Sequence, residues 1–383
     1  MAPFTHEHEE LRRQLRRFID TEVIPHADKW ERERNVPRHF LKRMGDLGFL
    51  GIGFPEKYGG SAMDIFGWLV FAEELGRSTY AGVVGVATVH TLMASPHLLH
   101  AGSEAQLDRY MPGIIAGDIL TAVAVSEVEA GSDVGAMRTK ATRVEGGWRI
   151  DGTKFWISNG VNADVYFVAA RTQTGGRGAS GISMFIVEKG TAGFKVGKKL
   201  EKLGFRASDT AELIFDNCFV PDENLLGVEN RGFYSVMENF QTERLTLAVL
   251  NVSECLTALK FTIEYLRERK VLGSLLIERQ VLRQKLAMLL ARVQAGRQLI
   301  YHAASLMAAG GKAVLEVSMI KAYMGELVNE TMYQCLQCHG GAGFLEGTPI
   351  ERMYRDARLY SIGGGATEVM LDEVAKRWDE AFN

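Results

Sequence analysis

Cys335, Cys338 and His339 have the C-x-x-C-H spacing by which a c-type haem is tethered, two thiols for thioether bonds and an imidazole for the iron. The rest of the chain argues against that chemistry. Cys218, Cys255, Cys335 and Cys338 are the only four cysteines in 383 residues. So few oppose a disulfide framework and fit a reducing compartment, so a cytoplasmic location is expected. Ile320, Met324, Leu327, Val328, Thr331, Cys335 and Cys338 recur at helical spacing. Both cysteines are therefore expected on the buried face of a helix that stops at Gly340-Gly341. A zinc site needs about four ligands, and no second Cys/His pair has suitable spacing, so no metal is expected. No Rossmann G-x-G-x-x-G is present to hold a nicotinamide dinucleotide.

Net charge is -3, with 46% hydrophobic and 24% charged residues, the balance of a globular protein without a bias toward nucleic acid. The arginines of "LRRQLRRFID" alternate with Leu11, Leu15, Phe18 and Ile19, so they read as the wet face of an amphipathic helix. No signal-like segment opens the sequence, and no run of about 18 uncharged apolar residues is expected to span a membrane.

These side chains need a frame, and its texture changes twice. Residues 7–117 read as helices. Residues 121–221 read as strands: "ATRVEGGWRIDG" alternates about a Gly146-Gly147 turn, "DVYFVAA", "ISMFIVEKG" and "AELIFDNCFVP" are β-rich, and 172–181 is a surface loop. Helix then returns to the end. Val252, Cys255, Leu256, Leu259, Ile263 and Leu266 form one stripe, and Leu282, Leu286, Leu289, Leu290 and Val293 another.

Five stretches in order resemble the acyl-CoA dehydrogenase family over essentially the whole length. "AVAVSEVEAGSDV" looks like its T-E-P-x-A-G-S-D flavin loop and "DGTKFWISNG" like its W-I-T/S-N-G segment. "RERKVLGSLLIERQ" is similar to R-x-x-F-G-x-x-x-x-x-x-Q, "QCLQCHGGAGF" to Q-x-x-G-G-x-G, and "RMYRDARLYSIGGGATEVM" to the C-terminal catalytic region. The resemblance implies an α+β fold: an N-terminal α-helical domain (1–118), a central β-barrel or sandwich domain (119–223) and a C-terminal four-helix bundle (224–383). It also implies FAD, an acyl-CoA substrate, electron-transfer flavoprotein as acceptor, and a homotetramer built as a dimer of dimers.

By the same resemblance, Val123, Val125, Ser126, Trp156, Ile157 and Ser158 surround the flavin ring, and Ser132 meets the phosphopantetheine arm. Arg269 and Gln280 reach the FAD of a neighbouring subunit. Gln337, Cys338, His339, Gly340 and Gly341 cradle its adenine side, and Thr367 and Glu368 are expected at FAD as well. Departures from the family pattern are Val128 for the usual proline, and Val271 and Leu272 where many members have Thr and Phe.

The reaction implied is α,β-dehydrogenation of an acyl-CoA thioester, in which a carboxylate removes the α-proton. Most members carry that glutamate in a C-terminal Y-E-G-T. Here "SIGGGATEVM" puts Gly363 and Gly364 in the Tyr and Glu positions, and glycine cannot act as a base. Gly364 can still offer a backbone N–H to the thioester oxygen, beside Gly365. Members of the long-chain and isovaleryl type place the glutamate on a helix before an arginine, and "NFQTERLTLA" supplies Glu243 and Arg244. Glu243 is the expected base and Arg244 a substrate- or base-positioning residue. A long or methyl-branched acyl-CoA is the first expectation, with "VVGVATVHTLMAS" and His90 lining the acyl chain. The alternatives are an isovaleryl-type enzyme, an acyl-CoA oxidase and a flavoprotein that binds acyl-CoA without dehydrogenating it.

Overall fold

The structure, a computed structural model, describes residues 4–173, 178 and 180–382. The loop expected at 172–181 falls partly outside this set.

Seven α-helices open the chain: α1 (His6–Phe18), α2 (Ile24–Glu33), α3 (Arg38–Asp46), α4 (Ile65–Gly76), α5 (Ala81–Thr88), α6 (Ser95–Ala101) and α7 (Glu104–Ile115). Helix α1 buries Leu15 and Phe18, with Ile19 just beyond it, as its spacing requires. Its arginines are not all solvated, however. Arg12 and Arg16 reach across to Glu73 and Glu74 of α4, and Arg16 Nη2 lies 2.9 Å from the buried Glu74. Sequence periodicity assigns a face but not the partner opposite it.

Two helices are longer and more apolar than expected. Ala81–Ala101 is long and apolar enough to span a bilayer, and so is Gly232–Glu268, but most of each apolar window is buried inside the protein. These are core helices. Ala81–Ala101 also holds a π-helical stretch, Val89–Ala94, between α5 and α6.

The central strands are β1 (Thr121–Ala124), β2 (Lys140–Val144), β3 (Gly147–Ser158), β4 (Val165–Arg171), β5 (Ile182–Glu188), β6 (Phe194–Lys199), β7 (Thr210–Pro221) and β8 (Leu225–Leu226). They form one mixed sheet in the order β6-β7-β3-β2-β4-β5-β8, with β1 parallel to β4. β2 and β3 pair as the expected hairpin, Val144 opposite Gly147. Val165–Ala170 and Ile182–Val187 are buried at every position, which explains why both runs are continuously apolar: neither face meets water.

Three long helices dominate the C-terminal part: α8 (Gly232–Glu268), α9 (Gln280–Ala308) and α10 (Val314–His339). The short strands β9 (Lys270–Val271) and β10 (Ser274–Leu275) join α8 to α9. Helices α11 (Pro349–Ala357), α12 (Thr367–Ala375) and α13 (Trp378–Ala381) complete the chain. Helix α10 packs on α8, α9, α11 and α12 and so forms the axis of the bundle. The stripes hold in α8 and α10, where Val252, Cys255, Leu259, Leu327, Val328 and Cys335 are buried. Other stripe residues depart: Leu290 is exposed, and Leu256, Ile263, Leu282 and Cys338 are only half-buried. Helix α10 ends where expected, because Gly340 takes φ +57°, a conformation glycine adopts at little cost.

Candidate active site

All three parts of the fold wall one large cleft of about 2000 Å³. On one side lie the end of β1 with the segment after it, and the end of β3. Here the backbone is forced. The β3–β7 register slips between Lys154 and Ile157, and inside that bulge Trp156 has φ +59°. A bulky residue at positive φ is a strained outlier, and bulges re-aim side chains. The result is an indole half exposed in the cleft near the end of β3.

Val123, Val125, Ser126, Ser132, Ile157 and Ser158 line the same space. Phe155 N–H donates to the Ser126 carbonyl (2.9 Å), tying β3 to the loop after β1. Beneath them Lys154, fully buried, donates to the Val125 carbonyl (2.9 Å) and to Glu127 Oε1 (2.8 Å). Glu127 also accepts the N–H groups of Arg138 and Thr139. Burial pulls Lys154 down to about 8 although Glu127 resists it. For Glu127 burial works upward, but the Lys154 charge and the Arg138 N–H outweigh it and keep the carboxyl low. This buried pair fixes the loop that carries Ser126.

The opposite wall is α8 with the turn between α11 and α12. Gly364 and Gly365 have φ +68° and +112°, so this turn needs glycine for its backbone. A Cβ on Gly364 would lie 3.4 Å from Glu243 Oε1, 2.7 Å from Leu247 Cδ1 and 3.8 Å from Lys321 Cε. The carboxylate therefore occupies the neighbourhood that a side chain at 364 would claim. Arg244 Nε donates to the Gly364 carbonyl (3.1 Å). Burial raises Glu243 to about 7, against the nearby charges of Arg244 and Lys321. A carboxyl so poised can take a proton near neutral pH.

Further walls come from Leu247 and Leu250 of α8, and from Ala81, Val84, Gly85 and Thr88 of α5. His90 does not line the cleft. It is fully buried, bonded to the Ile114 carbonyl (3.0 Å) and to Thr121 N (3.2 Å), and burial lowers it to about 4. It is a neutral structural tie between the helices and β1.

The remaining candidates stand apart from the cleft. Arg269 follows α8, and Gln280 opens α9; Gln337, Cys338, His339, Gly340 and Gly341 end α10. His339 stacks on Tyr265 at 4.4 Å and bonds Thr262 (3.3 Å), so the C-terminal ends of α8 and α10 meet there. Nothing crowds the Cα of Gly340 or Gly341, which leaves backbone open to a ligand. Arg269 lies 26 residues beyond Glu243, roughly 39 Å along the helix axis. Along α8, Arg269 therefore stands far from Glu243. Thr367 and Glu368 begin α12 outside the cleft, Thr367 donating to Glu326 (2.8 Å) and Glu368 exposed. Val271 and Leu272 are exposed at the β9–β10 turn.

Two lysines escaped notice in the sequence, Lys154 and Lys321. The available signal was a lone charge inside an otherwise apolar run, as in "SMIKAYM".

The cleft also fits FAD on its own features: a half-exposed indole, the unpaired hydroxyls of Ser126, Ser132 and Ser158 among the described residues, and a volume far beyond one small substrate. The acyl-CoA dehydrogenase models for the N-terminal, middle and C-terminal domains match residues 5–118, 122–218 and 230–378. Mitochondrial isovaleryl-CoA dehydrogenase of Pongo abelii is 37% identical over 381 residues, 98% of this chain and 90% of the relative. Mitochondrial long-chain specific acyl-CoA dehydrogenase of Rattus norvegicus is 36% identical, covering 98% of this chain and 87% of the relative. The crystal structure of an acyl-CoA dehydrogenase from Geobacillus kaustophilus superposes with TM-score 0.96 at 35% identity, over 99% of this chain and 100% of that one.

Proposed function

The chain belongs to the acyl-CoA dehydrogenase family, whose members use FAD to dehydrogenate acyl-CoA, and from that premise we propose that Glu243 is its base. The substrate in this reading is a fatty or methyl-branched acyl-CoA, and the product is the trans-2-enoyl-CoA. The carrying observation is the closeness of the Glu243 carboxylate to the Gly364 position, which itself has no side chain to act.

The residues divide the work. Glu243 takes the α-proton. The Gly364 N–H, with no backbone acceptor among the described residues, is free for the thioester oxygen, where enolate charge develops. Arg244 holds the glycine turn by its carbonyl. Ser126, Ser158 and Trp156 hold the flavin ring, and Ser132 the pantetheine arm. FAD, when bound beside these residues, would supply a two-electron acceptor for the β-hydrogen. Arg269, Gln280 and the end of α10 serve the FAD of a second copy, in keeping with their distance from Glu243 and with a homotetramer. Electron-transfer flavoprotein is the acceptor in this reading.

Acyl length is supported by the run of the cleft. Leu250 lies seven residues past Glu243 on α8, about 10 Å further along. That depth favours a chain longer than isovaleryl. A panel of isovaleryl-, octanoyl-, dodecanoyl- and palmitoyl-CoA with an artificial acceptor reads the substrate from enoyl-CoA formed, and oxygen uptake separates oxidase from dehydrogenase. Glu243→Gln is expected to bind FAD and acyl-CoA but to bleach the flavin anaerobically about 10²- to 10⁴-fold more slowly. Ordinary bleaching would remove Glu243 from the role. The wild-type rate should be half-maximal near pH 7 on its acid side.

A further inference from the structure

Lys321 lies in the first third of α10, 1% exposed, with no carboxylate in direct ion-pair contact among the described residues. A buried ammonium without a paired anion is costly and has to be offset by hydrogen bonds. Two of its three donors are committed. Nζ bonds the Tyr360 carbonyl at 2.6 Å and the Gly365 carbonyl at 3.1 Å. It thereby joins the start of the glycine turn to its end, while Arg244 takes the Gly364 carbonyl between them. Its Cε and Glu243 Oε1 lie 3.8 and 3.4 Å from the same point, the place a Cβ on Gly364 would take.

We propose that Lys321 is the positioning residue of the proton-abstraction site: it clasps the Gly364 turn by two carbonyls and holds one positive charge near, but not on, the Glu243 carboxylate. This rests on the reading of Glu243 as the base.

Separation is the essential feature. A direct ion pair would hold the carboxylate ionised but too weak a base. With no cation, burial alone would leave it protonated at neutral pH. A charge held a few ångströms off offsets part of the burial effect, by about one pH unit or more. The charged groups around the pair are few. Arg244 flanks both from α8, Glu373 of α12 faces Arg244, and Lys321 enters from α10. Lys321 is itself lowered to about 8, by burial first and Arg244 next, so it remains cationic through the neutral range where Glu243 works.

The test uses FAD-loaded full-length enzyme and the fastest acyl-CoA of the chain-length panel, with anaerobic flavin bleaching followed from pH 6 to 9. In Lys321→Met the acid limb is expected to move up by about one pH unit, with bleaching at pH 6.5 slowed about tenfold. Lys321→Arg, which keeps the charge, should return the limb to its wild-type position. If Lys321→Met does not load FAD, Lys321→Gln carries the same measurement, because its amide still donates to the turn while lacking the charge. A purely structural lysine would lower the rate at every pH and leave the limb in place, and that result overturns the proposal. So does a limb displaced as far in Lys321→Arg as in the uncharged variants. Glu243→Gln run alongside separates the two readings. Bleaching that survives in Glu243→Gln defeats the base assignment, whereas an unmoved limb beside an inert Glu243→Gln defeats the role of Lys321 alone.

Discussion

Replacing Gly364 by alanine adds one methyl group where Glu243, Leu247 and Lys321 converge. Two costs follow. At φ +68° an alanine sits in the left-handed region, at about 1–2 kcal/mol. Its Cβ would also stand 2.7 Å from Leu247 Cδ1, inside any tolerable contact, so the leucine tip must turn away at about 1 kcal/mol. Together these lower stability by about 2–3 kcal/mol, a few degrees in a melt. The effect on turnover should be larger than stability alone suggests. The methyl lies 3.4 Å from the Glu243 carboxylate, and the turn that presents the 364 N–H has to shift to admit it. Outright loss of an oxyanion donor costs about 10²- to 10³-fold, so displacing one is expected to lower kcat by about 10- to 100-fold. The displaced Leu247 narrows the acyl side and raises KM. Steady-state assay with an artificial acceptor reads both, and flavin absorbance confirms that FAD is loaded. Gly363→Ala is the internal comparison: its nearest atoms are at 3.5–3.7 Å and its φ is not positive, so the loss there should be distinctly smaller. Equal losses in the two variants, or full activity in Gly364→Ala, would refute the placement of Glu243 over this turn.

Glu254, three turns beyond Glu243 on α8, is raised by burial to about 8 even though the Tyr360 hydroxyl donates to it. A carboxyl with a folded pKa above its unfolded value of 4.5 costs stability increasingly as pH rises from 4.5 to about 8. Glu254→Gln still accepts from Tyr360, so it should gain melting temperature relative to wild type between pH 5 and 8. A difference constant with pH would show that Glu254 is not protonated when folded. Lys154→Met leaves Glu127 buried beside the Ser126 loop without its cation, a loss of about 3–5 kcal/mol. FAD retention, measured by the fluorescence of released flavin, should fall with it; unchanged retention would mean that the pair does not organise the flavin wall.

Much of the frame could be read along the chain because periodicity is local. The change from helix to strand near residue 121 and back after 221 follows from patterns only a few residues long. So does the stripe that buries Cys335, which disposed of the haem reading without any tertiary information. Where expectation failed, the missing quantity was the identity of the surface opposite. Arg12 and Arg16 lie on the polar face of α1, yet that face meets the acids of α4. His90 lies on a helix that does line the cleft, but its ring turns toward Ile114 and Thr121. Cys338 continues the stripe at the end of α10, where it is only half-buried.

The site divides along the same line. That position 364 carries no base, and that a Glu-Arg pair stands at 243–244, could be read along the chain, since both are statements about residue type. Only the tertiary structure decided that the two places meet, because they are brought together across 120 residues by the packing of α8, α10 and α12. Packing likewise decided that Trp156 faces the cleft, through a slip in strand register, and that Lys321 stands behind the turn. A pKa near neutrality belongs to neither residue alone. It arises when burial of Glu243 and the charges of Arg244 and Lys321 act at one point in space, and no spacing along the chain encodes that distance.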